Sequence, residues 1–324
     1  MPFISESTYS PPFLFRNSYI NTIYPAMFRK GPMPRYERVR LNTPDDDFLD
    51  IDYAKVGSEK LVIVLHGLEG SSQSQYSRGI VGYFNARGWD AMAVNHRGCS
   101  EENNRQPHSY HMGATDDITF LIDKICQENA YREIYLTGFS LGGNVTLKYL
   151  GEQSKNLPKQ IKAAAVFSVP IDIPSANKEI NRRKNAVYLS RFLISMKAKA
   201  LDKMQRMPDR FPCYDNFNPK NFNEFDELIT APVHGFSCAQ DYWKKCSSLP
   251  FIKDICVPTL LVNAQDDTFL SAECYPINLA EEHPFFYFEM PRYGGHCGFY
   301  ERDAEGFVWF EKRAFAFFQK DFTE

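Results

Sequence analysis

Apolar segments alternate with amphipathic ones along much of the chain, and this alternation limits the possible folds more than any other feature. Between residues 60 and 168, four apolar runs rich in β-branched and aromatic residues indicate strands, and segments with helical spacing lie between them. Strands that alternate with helices form parallel sheets, and continuous apolar runs fit such sheets because helices cover both faces. We therefore predict an α/β fold with a mostly parallel central sheet flanked by helices.

The alternation stops near Pro170 and returns with the apolar run "PTLLVNA" at residue 258. The segment between them carries helical patterns and loops rich in Asn, Pro and Phe. An insertion between late strands, on the side where loops follow strand ends, is typical of a cap over a binding site. The predicted organisation is an N-terminal arm packed on the core (1–35), an α/β core (36–170 and 251–324) and a cap (171–250).

Composition excludes several classes of protein. The 324 residues include 37 basic and 40 acidic ones, and a net charge of −3 gives no sign of nucleic acid or an anionic membrane as partner. Eight scattered cysteines without a C-x-x-C pair argue against a zinc site or a disulfide framework and predict reduced thiols and a cytoplasmic location. The N-terminus does not resemble a signal peptide, and no run of 18 apolar residues predicts a transmembrane helix.

Glycines surround a single serine in "TGFSLGGN", which runs from Thr137 to Asn144. The predicted strand "REIYLTG" precedes this serine, and a predicted helix follows it. A nucleophile that projects above a sheet needs a very tight strand-to-helix turn, where side chains two residues before or after it would clash. Gly138 and Gly142 occupy those positions. The pattern predicts a nucleophile elbow with Ser140 as the nucleophile, whereas the simpler alternative is a glycine-rich helix start.

A serine hydroxyl attacks only when a base removes its proton. In a fold of this type the acid follows the serine in the chain, and the histidine follows the acid. Of the seven histidines, His296 alone lies in a glycine-flanked loop, "YGGHCG", between the last strand and the last helix. We predict His296 as the base. His108 and His111 have a spacing seen at metal sites, but no carboxylate or cysteine cluster completes a site, so no metal is predicted.

The acid should follow the penultimate strand, where "NAQDD" offers Asp266 and Asp267. Spacing alone does not separate these two residues. An oxyanion hole needs two backbone N–H donors, and one normally comes from the residue after the nucleophile, here Leu141. The second comes from a loop after an earlier strand, and "LHGLEGSS" predicts the N–H of Leu68.

With these residues in place, the chain resembles the α/β-hydrolase superfamily, and more narrowly the AB hydrolase 4 family of YheT-like carboxylesterases. The similarity covers nearly the whole chain, because the arm "FRNSYINTIYPAMFR" is similar to that family's N-terminal motif. Later family motifs follow in order as "HGLEGSS", "NHRGCS", "SYHMGATDD", "GFSLGGN", "NAQDDTFL" and "GGHCGF".

The resemblance implies a nucleophile at Ser140, an acid at Asp267 and a base at His296. It favours Asp267 because the second acid of the pair matches the family acid; the chain departs from the family in having Thr268 where Pro is common. Family members are described as esterases on short- to medium-chain acyl esters, as lipid hydrolases or as alcohol acyltransferases. Eukaryotic members often carry an N-terminal membrane anchor, and no such anchor is expected here.

These observations predict a serine hydrolase that cleaves carboxylic esters of small molecules through an acyl-enzyme on Ser140, without a cofactor. The first alternative is an alcohol O-acyltransferase or a lipid or monoacylglycerol hydrolase with the same triad. A second alternative is a non-catalytic binding protein with this fold. The sequence leaves open the acyl chain length, the physiological substrate and the oligomeric state.

Overall fold

A single nine-stranded sheet forms the centre of the molecule in the computed structural model, which describes residues 3–301 and 304–322. The strands are β1 (Phe3–Ile4), β2 (Glu37–Asn42), β3 (Phe48–Ala54), β4 (Lys60–Leu65), β5 (Asp90–Asn95), β6 (Glu133–Phe139), β7 (Ile161–Phe167), β8 (Thr259–Val262) and β9 (Phe286–Glu289). Their order across the sheet is β1-β9-β8-β7-β6-β4-β5-β3-β2. The pairs β2–β3 and β3–β5 are antiparallel and the other six pairs of the described sheet are parallel, so the sheet is mostly parallel, as predicted.

Helices cover both faces of this sheet. They are α1 (Ser18–Phe28), α2 (Gln75–Asn85), α3 (Asp116–Glu128), α4 (Leu141–Gln153), α5 (Ile173–Ile180), α6 (Ala186–Arg206), α7 (Phe222–Phe225), α8 (Ala231–Val233), α9 (Ala239–Cys246), α10 (Ile277–Glu282) and α11 (Trp309–Phe318). A π-helical turn over Asp226–Thr230 joins α7 to α8. Within the described ranges, no helix is both long enough and apolar enough to span a bilayer.

The alternation of strand side chains explains why the central strands are apolar throughout. In β4, Leu61 and Ile63 belong to the core on one face of the sheet, whereas Val62 and Val64 belong to the core on the other. All four are buried. Each face lies under helices, so each strand position contributes to a core, and the polar alternation of a half-exposed strand is absent from β4.

The α/β-hydrolase fold prediction is confirmed, including the helical insertion, because α5 to α9 all lie between β7 and β8. The insertion has its own apolar cluster, which includes Leu193, Met204 and Phe225. The arm is more regular than the sequence indicated: β1 extends the sheet edge beside β9, and α1 is a full helix. Between β8 and β9, a 3₁₀ turn over Ala272–Cys274 precedes the short helix α10.

Candidate active site

Ser140 lies at a strained turn between β6 and α4. Its backbone φ is 51° and its ψ is −115°, a conformation that L-residues rarely adopt. A Cβ atom at Gly138 would lie 2.5 Å from the Gly142 carbonyl oxygen, and one at Gly142 would lie 2.3 Å from the Leu65 carbonyl oxygen. Glycine is therefore required on both sides of the serine, because any side chain there would meet backbone that cannot move aside. The turn has the geometry of a nucleophile elbow.

The two candidate acids follow β8 and point to different partners. Asp267 Oδ2 lies 2.9 Å from His296 Nδ1, and Asp267 Oδ1 accepts the Phe269 N–H. Asp266 Oδ1 instead accepts the Gly295 N–H at 2.8 Å. Burial raises the pKa of Asp266 to about 6, against the opposing effect of that hydrogen bond. The geometry thus brings Asp267, and not Asp266, to the imidazole.

His296 lies in the loop that follows β9. Its N–H donates to Thr22 Oγ1 of α1 at 2.9 Å, and its ring stacks on Phe269 with centroids 4.1 Å apart. Burial tends to lower the pKa of His296, but the Asp267 carboxylate outweighs this effect, so the net shift is upward. The carboxylate accepts from Nδ1, so Nε2 of the neutral ring is free to act as a proton acceptor.

Ser140 and His296 line one pocket. No hydrogen bond joins the Ser140 hydroxyl to the His296 ring in the part of the chain that the structure describes. The structure therefore brings the three predicted residues into one region. Of the two hydrogen bonds expected in a triad, the one between Asp267 and His296 is formed. Catalytic hydrogen bonds are commonly long in the absence of substrate and tighten when it binds.

The turn after β4 holds the predicted oxyanion donor Leu68. The Gly67 N–H donates to the Tyr76 hydroxyl, and the Glu69 N–H donates to the Tyr110 hydroxyl. No residue within 3–301 or 304–322 accepts a hydrogen bond from the Leu68 N–H. Leu141 is the first residue of α4, where a helix leaves its N–H groups without intrahelical acceptors. Leu68 and Leu141 both line the pocket beside Ser140.

Two buried histidines support this turn from below. His66 Nδ1 donates to the Gly67 carbonyl oxygen, and His66 Nε2 accepts the His96 N–H. Burial lowers the pKa of His66 well below its ordinary value and that of His96 to about 4, so both rings are neutral at physiological pH. The two rings thus hold the backbone of the turn after β4 in place.

The pocket extends from Ser140 into the cap, and most of its walls are apolar. It contains about 1200 Å³ of space free of protein atoms, including the part open to solvent. Large apolar side chains of the cap that line it include Phe192, Met196, Phe211, Phe222, Phe225, Ile229 and Trp243. Leu193 and Phe217 also pack in the cap's apolar cluster, but they do not line the pocket. The walls suit an alkyl or acyl chain.

A polar cluster that the sequence did not indicate lies on one wall of the pocket. Lys199 Nζ lies 2.9 Å from both carboxylate oxygens of Glu69, and the Tyr110 hydroxyl donates to Glu69 Oε1 at 2.7 Å. Ser195 also contacts the Glu69 carboxylate. The cluster connects α6 of the cap to the residue next to Leu68. Glu69 and Lys199 are 130 positions apart, so no local signal pairs them.

Two further contacts were also missing from the sequence interpretation. Thr22, in the arm, accepts the His296 N–H, and only the arm motif hinted at a role for this segment. Thr268, which stands where the family commonly has Pro, donates from Oγ1 to Asn185 Oδ1 at 2.8 Å. Asn185 in turn donates to the Thr268 carbonyl oxygen. The acid loop is thereby tied to the start of α6.

His108 and His111 lie beside a third histidine. Their ring centroids are 5.4 and 4.5 Å from that of His234. Within residues 3–301 and 304–322, no group of three or more His, Cys, Asp or Glu side chains has an arrangement that could hold a metal ion. All eight cysteines are free thiols.

The order of strands, the cap after β7 and the turn at Ser140 are those of an α/β hydrolase. A family model described as "alpha/beta hydrolase fold" matches residues 60–303. "Putative esterase YheT" of Escherichia coli K12 is 32% identical over 92% of this chain and 88% of its own length. The chain therefore belongs to the α/β-hydrolase fold family and, within it, to the AB hydrolase 4 family.

Two other comparisons support the same assignment of fold. A monoacylglycerol lipase of Saccharomyces cerevisiae is 30% identical over 90% of this chain, which spans 64% of that relative. Among solved structures, the α/β hydrolase GrgF of a Penicillium species has a TM-score of 0.59 at 17% identity, covering 88% of this chain and 98% of GrgF. At that level of identity the structural match speaks for the fold alone.

Proposed function

We propose that the protein is a serine hydrolase that cleaves carboxylic esters through an acyl-enzyme on Ser140, with Asp267 and His296 as acid and base. One observation carries the proposal: Asp267 Oδ2 lies 2.9 Å from His296 Nδ1, in a pocket that Ser140 also lines. The strained turn at Ser140 adds support, because such strain is retained mainly where a side chain must be presented.

In the proposed reaction, His296 Nε2 removes the Ser140 proton while Oγ attacks the ester carbonyl carbon. The N–H groups of Leu68 and Leu141 donate to the oxyanion of the tetrahedral intermediate. The intermediate collapses, the C–O bond to the alcohol breaks, and the leaving alkoxide takes the proton from Nε2. Water, deprotonated by His296, then attacks the acyl-enzyme and releases the carboxylic acid and free Ser140. Asp267 holds the imidazole tautomer and stabilises the imidazolium.

The proposed substrates are small-molecule esters with an apolar acyl chain. The aromatic and aliphatic walls of the pocket support this class, because the chain would transfer from water into an apolar channel beside Ser140. The name of the yeast relative, a monoacylglycerol lipase, agrees with fatty acyl esters. An alcohol that replaces water in the second step would make the same enzyme an acyltransferase, and only the product ratio with added alcohol separates these two reactions.

A fluorophosphonate probe and a Ser140→Ala variant test the proposal. We expect the probe to label Ser140 in intact-mass and peptide analysis, and Ser140→Ala to lose about 10⁴- to 10⁶-fold in kcat on p-nitrophenyl esters. Ser109→Ala is the matched control, because Ser109 lines the same pocket without a proposed role; it should keep both labelling and activity. A folded wild-type protein that is neither labelled nor active would favour the non-catalytic alternative.

A further inference from the structure

The arm exposes an apolar surface, and contact of such a surface with water is unfavourable. We call it the arm face, and it consists of Phe13, Leu14, Ile20, Tyr24, Met27 and Phe28. Phe13, Met27 and Phe28 are 79%, 65% and 60% exposed. Neighbouring rings connect the face, since the Tyr24 and Phe28 centroids lie 5.6 Å apart. Contiguous exposed apolar surface of this kind marks an interaction site on a soluble protein.

In α1, apolar side chains lie on the outer side, which is the reverse of the arrangement in an ordinary surface helix. Such a helix turns apolar residues to the core and charged ones to water. Here Asn21 and Pro25 are the buried residues, the outer side carries Ile20, Tyr24 and Met27, and the helix contains no charged residue at all. The outward side of α1 therefore has the composition of a buried face.

A second apolar stripe lies on the cap beside the arm face. We call it the cap stripe; its apolar members are Val187, Ile194, Ala198 and Leu201 on the solvent side of α6, and Arg191 lies among them. These residues are spaced three or four apart, so they share one side of the helix. Tyr19 of α1 and Tyr188 of α6 stack with centroids 6.3 Å apart and place the stripe next to the arm face. On its other side α6 lines the pocket with Phe192 and Met196.

The charged residues of the arm around its apolar surface are all positive. Residues 7–36 contain no Asp or Glu. Arg16 and Lys30 flank α1 at its two ends, Arg35 follows, and Arg191 lies within the cap stripe; all four are exposed. Within residues 3–301 and 304–322, none of these four forms an ion pair. The net charge of −3 for the whole chain conceals this local excess.

We infer that the arm face and the cap stripe together dock onto a lipid surface that carries anionic headgroups. Apolar side chains would enter the boundary between headgroups and acyl chains, while the surrounding cations would meet lipid phosphates. A second copy of this chain fits less well, because a symmetric contact would bring the same cations against each other. The charge pattern thus distinguishes a membrane from a self-association surface.

Docking in this orientation would bring the candidate site close to lipid. The inner side of α1 contacts the catalytic loop through Thr22 and His296, and α6 separates the cap stripe from the pocket by one helix diameter. A lipid ester could then reach the pocket without crossing bulk water. This consequence rests on the proposed function, whereas the docking itself does not.

The test uses full-length Ser140→Ala protein, so that vesicles are not degraded during the measurement. Binding is measured by flotation with two kinds of vesicle. One kind is pure phosphatidylcholine, and the other also contains about 30% phosphatidylglycerol to supply anionic headgroups. We expect binding at least about tenfold stronger to the anionic vesicles and loss of most binding in Met27→Glu/Phe28→Glu. Val187→Glu/Ile194→Glu should reduce binding several-fold. Val56→Glu is the matched control, because Val56 is 51% exposed in the loop between β3 and β4, away from the arm face and the cap stripe; this variant should bind normally.

The inference would be overturned if the protein bound neither kind of vesicle. It would also be overturned if the Met27→Glu/Phe28→Glu variant bound as well as its parent. A concentration-dependent dimer in sedimentation velocity that this double variant abolishes would assign the surface to a second copy and would also overturn the inference.

In protein with Ser140 intact, the double variant should hydrolyse a soluble p-nitrophenyl ester at the normal rate and a vesicle-borne ester at least about tenfold more slowly. Failure of both substrates in wild type would reject the proposed function and leave the docking result unaffected.

Discussion

The loops that carry Ser140 and His296 lie so close to other backbone segments that glycines are needed there, whereas the interior of the cap consists of packed side chains. A Cβ at Gly142 would lie 2.3 Å from a strand carbonyl oxygen, and one at Gly298 would lie 1.9 Å from the Asn21 carbonyl oxygen. Backbone cannot move aside, so these positions tolerate no side chain.

The cap is different because its internal packing is a cluster of aliphatic and aromatic side chains, and Lys199 joins it to the core through Glu69. Side chains of similar volume can replace one another in such a cluster at modest cost. From this comparison we expect the proposed chemistry to depend on rigid local geometry, and the choice of substrate to depend on packing that can vary. The following predictions test each half of it.

The largest expected effect separates the two aspartates. Asp267→Asn should lower kcat by roughly 10⁴-fold, because the amide no longer holds the required His296 tautomer. Asp266→Asn is the neighbouring control and should cost far less, since Asp266 contacts the Gly295 N–H rather than the imidazole. Steady-state kinetics on one p-nitrophenyl ester, with melting temperatures for both variants, makes the comparison. The opposite order of effects would identify Asp266 as the acid.

A smaller effect tests whether the arm positions the base. Thr22→Val removes the acceptor of the His296 N–H and leaves that donor unpaired, which costs about 1–3 kcal/mol when the group is buried. We expect kcat to fall about tenfold with little change in KM. Thr22→Ser keeps the hydroxyl and should restore kcat to within about twofold of wild type. Equal losses in both variants would mean that Thr22 acts only through packing.

Substitutions in the cap should change kcat/KM by only a few-fold. Each substrate CH₂ that enters the pocket adds about 0.8 kcal/mol, so kcat/KM should rise a few-fold per methylene until the pocket is full. Phe192→Ala should move the optimum to longer acyl chains, because Phe192 lines the pocket. Leu193→Ala is the control: it should lower stability by about 2–5 kcal/mol and leave the optimum in place, because Leu193 packs inside the cap. A flat chain-length profile would show that the cap does not shape the acyl site.

The smallest expected effect is a shift in the pH dependence of activity. His296 must be neutral to accept a proton, and its pKa is raised by the Asp267 carboxylate, so activity should fall as the pH drops through that raised value. The midpoint of the acid limb of kcat/KM should therefore lie above about 6.5, the ordinary value for histidine. Asp266, with a pKa of about 6, is the competing group. A limb that lies at or below 6.5, or that disappears in Asp266→Asn, would contradict the assignment to His296.

The sequence was sufficient for the features that depend on local rules. The alternation of apolar runs and amphipathic segments predicted the mostly parallel sheet and the insertion after β7, since strand and helix periods are written into consecutive residues. The elbow at Ser140 was also readable, because Gly138 and Gly142 occupy fixed offsets from the serine. The catalytic roles of Ser140, Asp267 and His296 and the oxyanion donors Leu68 and Leu141 remain predictions.

Tertiary structure decided what depends on distant parts of the chain meeting. Asp266 and Asp267 are equivalent in spacing, and only the fold of the loop sends one to His296 and the other to the Gly295 N–H. The contact of Thr22 with His296 joins positions 274 residues apart, and that of Glu69 with Lys199 joins positions 130 apart. Which side of α6 faces the pocket and which faces solvent is likewise set by docking onto the core. Periodicity describes neighbours along the chain, and it carries no information about which surfaces meet once the elements have formed.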